Sequence, residues 1–338
     1  MIITGNSLEV LPKLQPDSFH TCITSPPYWG LRDYGLEASY WPQVTYTPMP
    51  GFPPITVPEW TGCLGLEPTP EMFVAHIILI FREIWRVLRK DGTVWVNFGD
   101  SYAGSGKGAW KNKKRQKEVY VIDPGATLTK MPKKPTGLKN KDLVGIPWRV
   151  AFALQADGWY LRMDNIWNKT NPMPESVRDR PTKAHEYIFL LAKSEQYYFD
   201  SEAIEELAVT QGAQNSFARA VKESPPPGNS LQHRTDRKNI EYSGKRNKRS
   251  VWTVSTANFP GAHYAVFPEE LILPFILASS PVGGRVLDPF GGRGTTLKVS
   301  LENNRECTII EMGSHNVRLA ERWTAVVQPT LIFGEMEQ

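Results

Sequence analysis

Only three of the 338 residues are cysteines, and Cys22, Cys63 and Cys307 lie far apart. They can build neither a disulfide framework nor a CxxC metal site, a usage that fits a reducing compartment. No apolar run approaches the ~18 residues of a membrane span; Ile77-Ile78-Leu79-Ile80-Phe81 ends at Arg82. The opening residues, Met1 to Ser7, carry no basic stretch followed by a long apolar one, so no secretory signal is expected there. Charge bias is also small, at +4 formal net, and only its distribution can argue for a polyanionic partner. A membrane protein, a secreted mini-scaffold and a structural zinc protein are all disfavoured. What the chain has in quantity is proline (28 residues) and tryptophan (11), which point to long, non-helical, aromatic-studded connections. With 41% hydrophobic and 22% charged residues it can bury a sizeable core. Its length suits two domains or one large domain with insertions.

Periodicity in the first hundred residues alternates strand and helix. Phe19 to Thr24 is a β-rich run closed by Pro26-Pro27. From Pro70 to Leu88, the residues Phe73, Ile77, Ile80, Phe81, Ile84 and Leu88 fall at three- and four-residue steps, the stripe of a core-facing helix. Lys90-Asp91-Gly92 is expected to stop that helix and turn the chain into a buried strand over Thr93–Phe98. This is the βαβ rhythm of a parallel sheet.

Composition then changes. Residues 101–141 carry a dense set of lysines and Arg115 against only Glu118 and Asp123, with glycines at 104, 106 and 108. A helix is expected from Ile146 to Leu154. A strand over Trp159–Trp167 and another over Glu186–Ala192 could then pair as a hairpin. Residues 203–250 are again polar, with Pro225-Pro226-Pro227-Gly228 and a basic close of Lys245, Arg246, Lys248 and Arg249. The last ninety residues return to α/β, with helices over Pro268–Ala278 and Thr295–Asn303 and strands over Arg285–Asp288 and Glu306–Glu311. The expectation is one α/β core with two basic insertions.

Two motifs carry chemistry. The first is Asp288-Pro289-Phe290-Gly291-Gly292-Arg293-Gly294-Thr295-Thr296, which follows a strand and opens a helix. Glycines there let the backbone approach a nucleotide-like ligand, and Glu311, ending the next strand, is placed to accept hydrogen bonds from both ribose hydroxyls. No lysine follows the glycines, so this is no P-loop, and the third glycine of GxGxxG is absent. Alone, a Gly-x-Gly after a strand is a plain tight turn; Asp288 before it and Glu311 behind it favour a ligand site. The second is Thr24-Ser25-Pro26-Pro27-Tyr28-Trp29. It is either a rigid strand-ending turn or a binding element. As a binding element, it offers backbone carbonyls without local N–H partners, the Ser25 hydroxyl, and the Tyr28 face for a planar base. Trp29 either extends that stacking wall or packs in the core.

Together these motifs resemble the amino-methyltransferases of DNA that use S-adenosylmethionine (SAM). Ser25-Pro26-Pro27-Tyr28 is similar to their catalytic motif (Asp/Asn/Ser)-Pro-Pro-(Tyr/Phe), and Asp288 to Thr296 to their SAM motif. The catalytic motif comes first, as in the permuted β group. Gly5-Asn6-Ser7-Leu8 resembles the family's opening Gly-Asp-x-Leu, with Asn in place of Asp. Trp167 to Pro174 and His185-Glu186-Tyr187-Ile188 resemble its connecting segments, and His263 to Leu271 the segment that closes over the methionine end of SAM.

The resemblance implies a Rossmann-like methyltransferase fold with a mostly parallel sheet, as a single domain over 1–338. Residues 1–100 form its catalytic half, 101–145 a basic insertion, 146–200 the core continuation, 201–252 a target-recognition insertion and 253–338 the SAM-binding half. It implies catalysis by Ser25, Pro26, Pro27 and Tyr28. It implies SAM binding by Asp288, Pro289, Phe290, Gly292, Gly294, Thr295, Thr296, Glu311, His263, Phe267 and Pro268. The partner is expected to be double-stranded DNA, with Lys113, Lys114, Arg115, Lys245, Arg246, Lys248 and Arg249 on phosphates. A cognate restriction endonuclease acting separately and a prokaryotic cytoplasmic setting are further expectations. Members of the family with Ser at the first catalytic position mostly methylate cytosine N4, and those with Asp or Asn mostly adenine N6, so Ser25 favours cytosine N4.

Three other readings compete. Cytosine C5 chemistry calls for a nucleophilic cysteine, usually after proline, and none of the three cysteines follows one. A nicotinamide-dependent dehydrogenase using the Gly292/Gly294 turn leaves Ser25–Tyr28 and both basic insertions unexplained. A methyltransferase fold that only binds DNA is disfavoured by the intact motifs. Thermal shift with SAM, with NAD and with duplex DNA separates the amino-methyltransferase from the dehydrogenase and from the DNA-binding module.

Overall fold

Strand and helix signals resolve into one eight-stranded sheet covered on both faces. The computed structural model describes residues 1–31, 33–104, 137–208, 244–256 and 267–327. Most of both basic insertions, Lys113, Lys114, Arg115 and His263 lie outside the described residues. In chain order the elements are β1 (Ile2–Thr4), α1 (Ser7–Val10), β2 (Phe19–Thr24), β3 (Ser39–Trp41), β4 (Val44–Tyr46), β5 (Ile55–Val57), β6 (Trp60–Gly62), α2 (Pro70–Val87) and β7 (Leu88–Phe98). They continue with α3 (Ile146–Ala156), β8 (Tyr160–Asn168), β9 (His185–Ala192), β10 (Glu206–Leu207), β11 (Lys245–Arg246), β12 (Val251–Thr253), α4 (Glu269–Ser279), β13 (Arg285–Asp288), α5 (Thr295–Glu302), β14 (Glu306–Glu311) and α6 (Ser314–Thr324).

The strand order is β1-β14-β13-β2-β7-β9-β8-β12. Neighbours pair in parallel except at β9, which runs antiparallel to β7 and β8. From β2 the chain crosses over through α2 to β7, and from β13 it crosses through α5 to β14 in the opposite sense. The order therefore reverses between β13 and β2, the switch point where open α/β sheets bind ligands beyond their carboxyl ends. Both sequence motifs begin there.

Helix α2 starts at Thr69, whose hydroxyl accepts from Met72 N, with Pro70 at the first helical position. Its stripe of Phe73, Ile77, Ile80, Phe81 and Ile84 is buried, in one cluster with Val150 and Leu154 of α3. Leu271, Ile272, Phe275 and Ile276 of α4 and Leu297 and Val299 of α5 fill a second cluster with Ile23, Val286 and Ile309 of the sheet. Each fully buried side chain of this size contributes about 1.5–3 kcal/mol, so the sheet is anchored from two sides.

One expectation needs correction. Lys90-Asp91-Gly92 does not form a separating turn. β7 begins at Leu88, directly after α2, and residues 89–92 are taken up by a register shift between the Phe19–Leu88 and Thr21–Thr93 pairs. Between the catalytic motif and α2, where no element was expected, lie four short strands. β3 pairs with β6 and β4 with β5, both antiparallel, as a broken two-stranded ribbon. Prolines at 42, 48, 50, 53, 54 and 58 break every run to three residues and mask the alternation.

Candidate active site

Chain segments far apart in sequence meet at the carboxyl edge of the parallel strands. β2 and β13 are neighbours, with Thr21 opposite Val286 and Cys22 opposite Leu287. Beyond those pairs, where both strands end, Thr24 Oγ1 donates to Asp288 Oδ1 at 2.8 Å. That bond, between residues 264 positions apart, joins the two motifs.

On the β13 side, Asp288 is 3% exposed. Its carboxylate also accepts from Phe290 N (3.0 Å) and Thr296 Oγ1 (2.7 Å). It thus fastens the glycine turn to the first turn of α5 and to β2. Burial pushes its pKa up to about 6 against the opposing effect of those hydrogen bonds. Gly294, at φ +88, is the residue before α5, and a Cβ there would lie 2.9 Å from Ala320 Cβ. Gly292, at φ +51, has open space where a Cβ would stand, so its backbone faces a clear approach. Glu311 closes the turn from behind: Oε2 accepts from Gly292 N (2.9 Å), and Oε1 from Gly313 N (2.7 Å) and Asn316 Nδ2 (3.3 Å). Burial raises its pKa as well. Ser7 Oγ donates to the Pro289 carbonyl, so the Gly5-Asn6-Ser7 segment seen in the sequence packs against this turn. Phe267 packs against the α4 side of the core, and Pro268 caps α4.

On the β2 side, Ser25 and Tyr28 are partly accessible and Pro26 is buried. Trp29 is core rather than stacking wall: it is 2% exposed and its Nε1 donates to the Glu67 carbonyl at 2.9 Å. Beneath it the buried Glu67 carboxylate binds Gly65 N (2.8 Å) and His76 Nδ1 (2.9 Å). His76 is stacked on Trp41 of β3 at 4.3 Å between ring centroids. Gly30 N donates to the Gly65 carbonyl at 2.7 Å, so this pedestal holds the end of the catalytic turn.

The Tyr28 hydroxyl is the centre of a polar cluster that motif reading missed. It donates to Glu186 Oε2 at 2.8 Å. Asn97 Nδ2, from β7, donates to Tyr28 Oη (2.6 Å) and to Glu186 Oε2 (2.7 Å). Lys169 Nζ pairs with Glu186 Oε1, and Ser25 Oγ lies 3.4 Å from Tyr28 Oη. Burial and the Glu186 carboxylate raise the Tyr28 pKa well above its ordinary value, which keeps the phenol protonated. Glu186 and Lys169 stand in the two connecting segments that the family resemblance picks out, but their types alone assign them no role.

Nearby, Asp100 accepts from Gly145 N, Ile146 N and Ser101 N, capping α3. Tyr102 bridges to Leu143, and Val144 N donates to the Ser101 carbonyl, tying the two ends of the first insertion together at this edge. At the second insertion, Arg246 and Arg249 converge on Glu206 Oε1 (2.9 and 2.6 Å), and Lys245 lies 3.8 Å from Glu205. Lys248 sits over the Trp252 ring at 5.0 Å. Arg246 and Arg249, both expected on phosphates, are thus already paired with a carboxylate. Burial raises the thiol pKa of all three cysteines, Cys307 to about 12, so none presents a thiolate near neutral pH.

A doubly wound sheet with a glycine turn and a Ser-Pro-Pro-Tyr turn facing each other across the switch point defines a nucleotide-cofactor group-transfer enzyme of the methyltransferase type. The chain belongs to the N6_N4_Mtase family of DNA methylases, which it matches over residues 19–322. Type II methyltransferase M.SmaI of Serratia marcescens is 40% identical over 320 residues, covering 95% of this chain and 89% of that one. Type II methyltransferase M.Cfr9I of Citrobacter freundii is 41% identical over 319 residues, covering 94% and 85%. Among solved structures, PvuII DNA methyltransferase (cytosine-N4-specific) superposes with a TM-score of 0.57 at 17% identity, covering 96% of this chain and 85% of that one. A DNA modification methylase of Thermus thermophilus, solved in complex with S-adenosyl-L-methionine, gives 0.52 at 22% identity, covering 96% and 93%. These two likenesses establish the fold. Among the described residues no helix is long and apolar enough to cross a membrane.

Proposed function

We propose that this chain transfers the methyl group of SAM to the exocyclic N4 of cytosine in double-stranded DNA. The observation that carries the proposal is the Thr24–Asp288 bond, which sets Ser25 and the glycine turn side by side at the switch point. The residues of the turn fit the cofactor. Gly292 leaves its backbone open to an approaching ligand, and the Glu311 carboxylate, bound to Gly292 N, Gly313 N and Asn316 Nδ2, keeps an acceptor position for a ribose hydroxyl. When bound, SAM supplies an electrophilic methyl group.

The rest of the chemistry belongs to this chain's residues. An exocyclic amine is a poor nucleophile because its lone pair is delocalised into the ring. Ser25 Oγ and the Pro26 carbonyl accept its two N–H hydrogens and favour a pyramidal nitrogen, with the lone pair turned toward the cofactor. Tyr28 stacks on the base, which must leave the duplex to reach this turn. Placement and electrostatics do most of the work, because the amine proton becomes acidic as the nitrogen is alkylated. Ser25 favours cytosine over adenine, and the named specificity of the PvuII enzyme and the type II names of the two relatives accord with a DNA-modifying role beside a restriction endonuclease. Lys113, Lys114 and Arg115 are proposed as phosphate contacts, with Lys248 joining them.

The test is Ser25→Ala. It should keep SAM and DNA affinity and lose most of its turnover, because the interaction matters mainly while the amine pyramidalises. One neutral hydrogen bond is worth on the order of 1 kcal/mol, so residual activity through Pro26 is expected. Full turnover in the variant would refute the assigned role.

A further inference from the structure

Glu186 can only accept hydrogen bonds, and this fixes the direction of every bond around Tyr28. Asn97 must turn its amide nitrogen toward Glu186 Oε2, which it reaches at 2.7 Å, and its second hydrogen falls on Tyr28 Oη at 2.6 Å. The Tyr28 proton goes to the same carboxylate at 2.8 Å. A phenol has one proton to give and two lone pairs to offer. With the proton spent on Glu186 and one lone pair taken by Asn97, a single acceptor position remains, and Ser25 Oγ is the hydroxyl next to it at 3.4 Å. That contact is long for a bond between hydroxyls.

We propose that Glu186, held by Lys169, is a positioning residue that sets the polarity of a chain running from Ser25 through Tyr28 to its own carboxylate. The polarity commits the Ser25 proton to Tyr28 and leaves the Ser25 lone pairs for the N–H of the target amine. Reversed, the chain would point the Ser25 proton at that amine, donor against donor. The proposal rests on the reading of Ser25 as the amine acceptor. It also gives the Tyr28 hydroxyl a role that a phenylalanine at this position could not fill.

Glu186→Gln tests this directly. Lys169 on the Oε1 side selects the amide oxygen of the glutamine, so the amide NH2 faces Tyr28. The substitution is made in an Asn97→Leu background and compared with that background as its parent, because a flipped Asn97 amide would otherwise take the Tyr28 proton. Without that amide the chain turns around. The single-turnover methyl-transfer rate on unmethylated duplex DNA should fall ten- to a hundredfold, with SAM and DNA dissociation constants within twofold of the parent. Tyr28→Phe removes the link without reversing it and should cost less. The double variant should match Tyr28→Phe, so the second substitution restores rate lost by the first. A purely structural role for Glu186 gives no such recovery. A parent-like rate in Glu186→Gln, or losses that multiply in the double variant, would overturn the proposal. Should Glu186→Gln fail to fold, Ser25→Ala/Tyr28→Phe carries the test: it must be no slower than Ser25→Ala. A parent-like rate in Ser25→Ala defeats the underlying reading itself. A slow Ser25→Ala beside a parent-like Glu186→Gln defeats only the polarity.

Discussion

The two sides of the switch point are built differently. On the β13 side, Asp288 and Glu311 take their hydrogen bonds from backbone N–H groups, two threonine hydroxyls and an asparagine amide. Those donors lie close in sequence, apart from Thr24, and they shape the turn itself. On the β2 side, the Glu186 carboxylate gathers a lysine, a phenol and an amide from three separate strand ends. The first arrangement makes a rigid cradle; the second makes a directed polar chain. Loss of a group should therefore damage binding on one side and rate on the other.

The strongest break is expected at Asp288→Ala. It strands two buried hydroxyls and one backbone N–H, at about 1–3 kcal/mol each. SAM binding should be lost and thermal stability should fall; Gly292→Asp, with its charged side chain in the open approach, should lose binding while remaining folded. Calorimetric titration with SAM and thermal unfolding read both effects. Unchanged SAM affinity in either variant would contradict the cradle. Next comes Glu311→Ala, which should weaken SAM by about 1.5–3 kcal/mol through loss of charged hydrogen bonds, leaving single-turnover rates at saturating SAM near the parent value.

Acidity separates the sides more finely. The Asp288 pKa is raised from 3.8 to about 6, so the folded chain holds this proton more tightly than the unfolded chain does. Its contribution then favours folding at low pH, declines as pH rises through that window, and is gone above it, a span of about 3 kcal/mol. In chemical denaturation between pH 4 and 6.5, Asp288→Asn should remove this downward slope. A parent protein whose stability has the same slope as the variant would refute the shift.

A smaller contrast separates the two basic stretches. Neutralising Lys113, Lys114 and Arg115 together should lower DNA affinity and flatten its salt dependence by up to about three phosphate contacts. Neutralising Arg246 and Arg249 should change the slope less, because Glu206 already pairs with both. An equal change of slope per charge removed in the two variants would show that the Glu206 pairs open on DNA.

Much of this was legible in the amino-acid sequence. The limits of β2, β13 and β14 follow from short apolar runs bounded by proline, glycine or charge, and α2 from its buried stripe. The β3–β6 ribbon was not, because prolines cut its strands to three residues. Trp29 could not be placed by type alone; its indole bond to Glu67 decides for the core. Glu186, Lys169 and Asn97 were equally silent, since each acquires its role only when β7, β8 and β9 bring their ends together beside Tyr28.

Transfer of a methyl group to an exocyclic amine chosen by Ser25 is read from its product. Unmethylated duplex DNA is incubated with the protein and SAM, digested to nucleosides and separated by mass spectrometry. N4-methylcytosine is expected, strongly reduced in reactions with Ser25→Ala. N6-methyladenine in its place would contradict the choice of base, and 5-methylcytosine or no methylated nucleoside would contradict amino-methyl transfer itself.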